Sequence, residues 1–66
     1  MNIELAWKVI DNWVEKDYGN NKADAEDEMG NLDDLALRIS EIIDINGYSE
    51  RDDLTWLSSQ IEMDIF

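Results

Sequence analysis

The sequence predicts an all-α fold, a small antiparallel three-helix bundle made by one domain over residues 1–66. Apolar residues recur every three or four positions in three separate segments, which is the spacing of one face of a helix. Proline is absent, and Gly19, Gly30 and Gly47 stand where those segments end. The signals for strands are weak by comparison. The expected core is small, because a chain this short buries only about 60% of its unfolded surface.

The first predicted helix runs from about Ile3 to Tyr18. Asn2 is a suitable N-cap, and Gly19 can adopt the left-handed conformation that ends a helix. The apolar positions cover an arc of roughly 220°, about twice the stripe that a surface helix needs. We therefore expect this helix to lie at the centre of the bundle, with Trp13 in the core.

Between Gly19 and Gly30 the chain is polar and acidic, with an apolar content of two alanines and Met29. Such a segment has almost no apolar face to bury against a neighbour. We expect a loop here, or a short and loosely held extra helix over Ala23 to Met29.

The second main helix should follow Asn31, an N-cap placed before the acidic first-turn residues Asp33 and Asp34. Its core-facing residues form one stripe about 120° wide. Leu37 and Ile45 fall off that stripe. The stripe consists of Leu32, Leu35, Ala36, Ile39, Ile42 and Ile43.

The third main helix is expected to run from Glu50 towards the end of the sequence. Ser49 and Asp52 resemble a capping box, with Asp in place of the usual Glu or Gln. Its apolar stripe is narrow, and Trp56 and Met63, with Phe66 nearby, fall on the opposite side. The stripe consists of Leu54, Leu57, Ile61 and Ile65.

Net charge is the most unusual property of the chain. Seventeen acidic residues oppose five basic ones, which gives a formal charge of −12. Such a chain is repelled by nucleic acid and by anionic lipid, so we expect neither direct nucleic-acid binding nor membrane association. No segment is apolar enough to serve as a signal peptide or to span a membrane. The absence of cysteine excludes disulfides and fits a cytoplasmic location.

Catalysis, metals and cofactors are not expected. Histidine and cysteine are absent, and no glycine-rich phosphate loop is present. An EF-hand register beginning at Asp17 places Glu28 correctly but puts Gly19 and Lys22 at positions that need an oxygen ligand and a glycine. We therefore predict that the protein is not an enzyme and has no cofactor.

Acidic residues are concentrated in residues 17–34, where seven acids accompany one lysine. One interpretation is a solvated surface that keeps the protein in solution. The other is a set of carboxylates that takes the place of nucleic-acid phosphates in a basic groove. The candidate partner-binding acids are Asp17, Asp24, Glu26, Asp27, Glu28, Asp33 and Asp34.

Large apolar residues outside the main stripes form a second candidate site. Trp7 lies at the edge of the arc of the first helix, and Trp56 with Met63 lies away from the stripe of the third. They either complete a thin core or form a homodimer seam or partner anchor, since Trp and Met are enriched at interfaces.

These patterns favour a small acidic binding protein. The first hypothesis is an inhibitor that occupies the basic groove of a nucleic-acid-binding protein, as phage anti-restriction and anti-CRISPR proteins do; a phage-encoded protein would act in the host cytoplasm. This is a likeness of composition only. The alternatives are an antitoxin or immunity protein that neutralises a basic toxin, and a structural homo-oligomerisation module whose charge serves solubility.

Overall fold

A computed structural model describes residues 2–66, which fold into four helices and no strand. The molecule measures 30 × 21 × 20 Å along its principal axes. The all-helical class is confirmed, but the chain has four helices rather than three. The helices are α1 (Ile3–Tyr18), α2 (Lys22–Met29), α3 (Leu32–Asn46) and α4 (Leu54–Ile65).

Helix α1 lies at the centre and packs against each of the other three helices. It begins where the sequence predicts, because Asn2 Oδ1 accepts a hydrogen bond from the Leu5 amide at 3.1 Å. Trp13 is buried, and its indole Nε1–H donates to the Ser58 carbonyl of α4 at 3.2 Å. The wide apolar arc therefore has the central role predicted for it. The buried residues of α1 are Leu5, Ala6, Val9, Ile10, Trp13 and Val14.

The chain reverses sharply between α1 and α2. Gly19 and Asn20 both have positive φ, at 56° and 67°. Gly19 adopts this conformation without the steric penalty of a Cβ, and Asn tolerates it better than most residues. The Asn20 amide donates back to the Val14 carbonyl at 3.1 Å, which also accepts from the Gly19 amide. As a result, α2 starts beside the end of α1.

The acidic segment between Gly19 and Gly30 forms the extra helix that was one of its two predicted alternatives, so the chain has four helices rather than three. Asn21 caps it by accepting from the Asp24 amide at 3.2 Å. Ala25 is fully buried and Met29 packs against the core, so two apolar residues hold the segment in place. A small side chain lets α2 approach its neighbours closely, although the segment has no broad apolar face.

Helix α3 follows the prediction at both ends. Asn31 Oδ1 accepts from the amides of Asp33 and Asp34, at 2.8 and 3.2 Å, and Gly47 closes the helix with φ 71°. Leu37 and Ile45 are exposed, as their positions off the stripe predict.

Helix α4 begins four residues later than the prediction of a start at Glu50. Asp52 Oδ2 does accept from the Ser49 amide at 2.9 Å, but this pair closes a turn and no helix follows it directly. Asp53 is the actual N-cap, because its carboxylate accepts from the Trp56 amide at 3.0 Å. Ser49 is therefore not the N-cap, and the helix starts at Leu54, with Leu57 and Ile61 buried in the core.

The core should respond differently to the same substitution at two positions of α3. Ile39→Ala removes a fully buried side chain, and we expect a loss of about 2–5 kcal/mol in the free energy of unfolding. Ile45 is 83% exposed, so Ile45→Ala should change it by less than about 0.5 kcal/mol. Urea unfolding followed by circular dichroism measures both; equal losses would contradict this core.

Capping of α4 gives a second prediction. Asp53→Ala removes the acceptor of the Trp56 amide and should destabilise the protein by about 1 kcal/mol. Asp53→Asn removes the same charge but keeps a capping oxygen, so it should retain most of the stability. Thermal unfolding of both variants is the measurement. If Asp53→Ala were no less stable than Asp53→Asn, the assignment of this cap would be wrong.

Candidate partner-binding surface

The junction of α1 and α2 carries a shallow acidic depression of about 700 Å³. The turn at Gly19 and Asn20 folds α2 back beside the end of α1. Asp27 and Glu28 lie three and four residues after Asp24, so each is a neighbour of Asp24 on the surface of α2. Four carboxylates surround one tyrosine ring here. The depression is lined by Asp17, Tyr18, Asp24, Asp27 and Glu28.

Tyr18 connects the two helices that form this depression. Its hydroxyl donates to Glu28 Oε2 at 2.8 Å. This hydrogen bond raises the pKa of Tyr18 above its ordinary value of 10.0, with further contributions from desolvation and from the negative charges of Glu28, Asp17 and Glu62. The phenol is thus held protonated within a strongly negative field.

A smaller cleft of about 280 Å³ adjoins the depression and shares Asp17, Tyr18 and Glu28 with it. Its remaining walls come from the core and from the end of α4. The Trp13 and Phe66 rings meet edge to face, with centroids 6.0 Å apart. The sequence placed Phe66 near Trp56 and Met63, whereas its ring in fact contacts a core residue. The added lining residues are Trp13, Met29, Glu62 and Phe66.

The single lysine of the acidic segment does not neutralise this surface. Lys22 Nζ lies 3.6 Å from Asp11 Oδ1 and 5.7 Å from the centre of the Trp7 ring. Within residues 2–66, no basic nitrogen lies within 4 Å of the carboxylates of Asp17, Asp24 or Asp27. The depression therefore keeps its negative charge.

The predicted acidic site is brought together only in part. Asp17, Asp24, Asp27 and Glu28 meet in the depression, as described above. The other three predicted acids, Glu26, Asp33 and Asp34, are exposed and line neither hollow. The Asp33 and Asp34 amides are capped by Asn31 in the first turn of α3.

Glu62 is a site residue that the sequence reasoning missed. It lies on α4, 34 positions beyond Glu28, yet both carboxylates line the same cleft. Its place next to the apolar stripe, one residue after Ile61, is the only sequence signal that could have indicated it.

The large apolar residues proposed as an anchor have different surroundings. Trp7 is half-buried, packs against the core and carries Lys22 over its ring. Trp56 is 47% exposed and meets the Tyr48 ring edge to face at 5.8 Å. Met63 is 74% exposed, one heptad further along α4. Trp7 therefore has an intramolecular role, and Trp56 and Met63 present apolar surface to solvent.

Across residues 2–66, no group of three or more acidic, histidine or cysteine side chains has the arrangement to hold a metal ion. In the same residues, no helix combines the length and the apolar character needed to cross a membrane.

No protein-family model, no curated protein and no solved structure matches this chain. The function is therefore inferred from the surface itself.

The Tyr18–Glu28 contact predicts a pH dependence. Because the pKa of Tyr18 is higher in the folded state than in the unfolded chain, the contact stabilises the fold below pH 10.0 and is lost as the pH rises through the folded-state value. In a Tyr48→Phe background, the absorbance of tyrosinate should show Tyr18 titrating above pH 10.0. Adding Glu28→Gln should lower that midpoint; an unchanged midpoint would contradict the contact.

Proposed function

We propose that this protein binds the basic nucleic-acid groove of another protein and inhibits it by occupying that groove. The observation that supports the proposal most directly is the depression at the α1–α2 junction. Its four carboxylates are collected from two helices, and the segment's own lysine is turned away towards Asp11. A surface arranged in this way presents uncompensated negative charge to a partner.

The ordered α2 helix strengthens this proposal. A loop would lose conformational freedom on binding, which reduces affinity, whereas a helix holds its carboxylates in place beforehand. Asn21 caps α2, Ala25 anchors it in the core, and Glu28 is tied to Tyr18. The backbone that carries the acids of α2 is therefore ordered before any partner arrives, and the Glu28 carboxylate is held by Tyr18.

Electrostatic attraction would control the association. With a net charge of −12, the protein is drawn to a basic groove over distances of about 10 Å at moderate salt. Such steering raises the association rate and makes it fall as salt is added. Occupation of the groove then excludes nucleic acid, because both ligands require the same lysines and arginines.

The proposal is tested by affinity capture from nuclease-treated lysate at low and high salt. We expect the captured protein to bind nucleic acid, to be released by salt, and to be displaced by competing duplex DNA or RNA. A captured partner that holds nucleic acid and this protein at the same time would contradict occupation of the groove. A basic partner without nucleic-acid binding would instead favour the neutralising antitoxin or immunity hypothesis.

Neutral substitutions then test the depression. Asp24→Asn with Asp27→Asn removes two of its carboxylates and should weaken binding of the captured partner by about tenfold, with a smaller salt dependence. Glu15→Gln with Glu41→Gln changes the net charge equally at exposed sites that do not line it. Isothermal titration calorimetry measures the affinity of each double variant for the captured partner. Equal losses would show that binding depends on total charge and not on the depression.

A further inference from the structure

We propose that the cleft between α1, α2 and α4 binds one arginine side chain of the partner. This inference rests on the proposed function, since the arginine would belong to the basic groove of the partner and would enter the cleft of this protein. The cleft differs from the open acidic depression beside it, because its walls are mostly aromatic and apolar and its carboxylates come from three different helices.

The apolar walls suit the flat, weakly hydrated guanidinium group. Trp13 and Phe66 meet edge to face, and Met29 and the Tyr18 ring complete the lining. Aromatic faces attract a cation placed over them, and apolar walls cover the aliphatic stem of a long side chain. A compact ammonium group keeps its hydration more strongly and gains less from such walls.

The carboxylates converge on the cleft from separate elements. Asp17 lies on α1, Glu28 on α2 and Glu62 on α4, and each lines the same cleft. The Tyr18 hydroxyl holds Glu28 through Oε2 at 2.8 Å, which leaves Oε1 available to accept from a ligand. Arginine carries five N–H donors in a planar fork, so it can address two carboxylates at once.

Size and charge both favour a single cationic side chain. The volume of about 280 Å³ lies at the lower end of the roughly 300–1,000 Å³ that small-molecule sites usually have. Three carboxylates around the opening repel phosphates and other anions. The negative field that raises the pKa of Tyr18 comes in part from Asp17 and Glu62, so it extends across this cleft. A single cationic side chain is small enough for the cleft and carries the opposite charge.

The experiment uses three capped tripeptides, with arginine, lysine or neutral citrulline between two glycines. Amide and indole NMR signals are followed as each peptide is added to the intact protein. We expect the arginine peptide to shift the signals of the Trp13 indole and the Phe66 amide. It should bind about threefold more tightly than the lysine peptide. The citrulline peptide should cause no such shifts.

Matched variants assign the binding to the cleft. Glu62→Gln should weaken binding of the arginine peptide severalfold, whereas Glu41→Gln, with the same charge change at an exposed residue that does not line the cleft, should not. Phe66→Ala should also weaken binding, and Ile45→Ala, which removes exposed apolar surface away from the cleft, should not. Circular dichroism checks that each variant keeps its helices. If Phe66→Ala loses helical structure, the comparison of the two glutamate variants alone tests whether the peptide binds in the cleft.

The outcomes separate this inference from the proposed function. Equal binding of the arginine and lysine peptides, or equal effects of Glu62→Gln and Glu41→Gln, would overturn the arginine site and leave groove occupation standing. Arginine-specific shifts at Trp13, together with a captured partner that does not bind nucleic acid, would support the cleft and overturn the proposed function alone.

Discussion

The whole structure depends on the burial of α1 on more than one side. Its apolar residues cover too wide an arc for a single neighbour, and α2, α3 and α4 all pack against it. Trp13 occupies the middle of that arc and donates its indole N–H to the Ser58 carbonyl, so one side chain supplies both apolar area and a directed bond between α1 and α4. Without α1, α2 and α4 would keep only their smaller contacts with α3.

The charge is compatible with this core because it is confined to the outer surface. All seventeen acids lie outside the buried set, and repulsion among them is reduced where they are separated by solvent. The acids are not well separated at the α1–α2 junction, where four carboxylates lie around Tyr18. Crowding of this kind opposes folding, so the buried Ala25 and the hydrogen bond from Tyr18 to Glu28 must hold α2 against it.

Local signals predicted the parts of the fold that depend on neighbours in sequence. Asn2, Gly19, Asn31 and Gly47 act through their own backbone and correctly bounded α1 and α3. The predicted start of α4 was wrong because Ser49 and Asp52 resemble a capping box but only close a turn, and Asp53 caps the helix instead. An extra helix over Ala23 to Met29 was one of two alternatives predicted for the acidic segment, and the burial of Ala25, which depends on packing against other helices, decides between them. The cleft escaped prediction because the meeting of Glu28 with Glu62 depends on how distant segments pack.

The hydrogen bond between Trp13 and Ser58 joins residues 45 positions apart in the chain. Contacts of such separation carry a large loop-closure entropy, whereas α1, α2 and α3 are connected by short turns. Docking of α4 is thus the least local step in assembling the bundle, and its transient undocking would open one wall of the cleft formed by Glu62 and Phe66. Any ligand that bridges this cleft adds its binding free energy to the docking of α4, so occupancy would be visible as slower hydrogen exchange at Leu57 and Ile61.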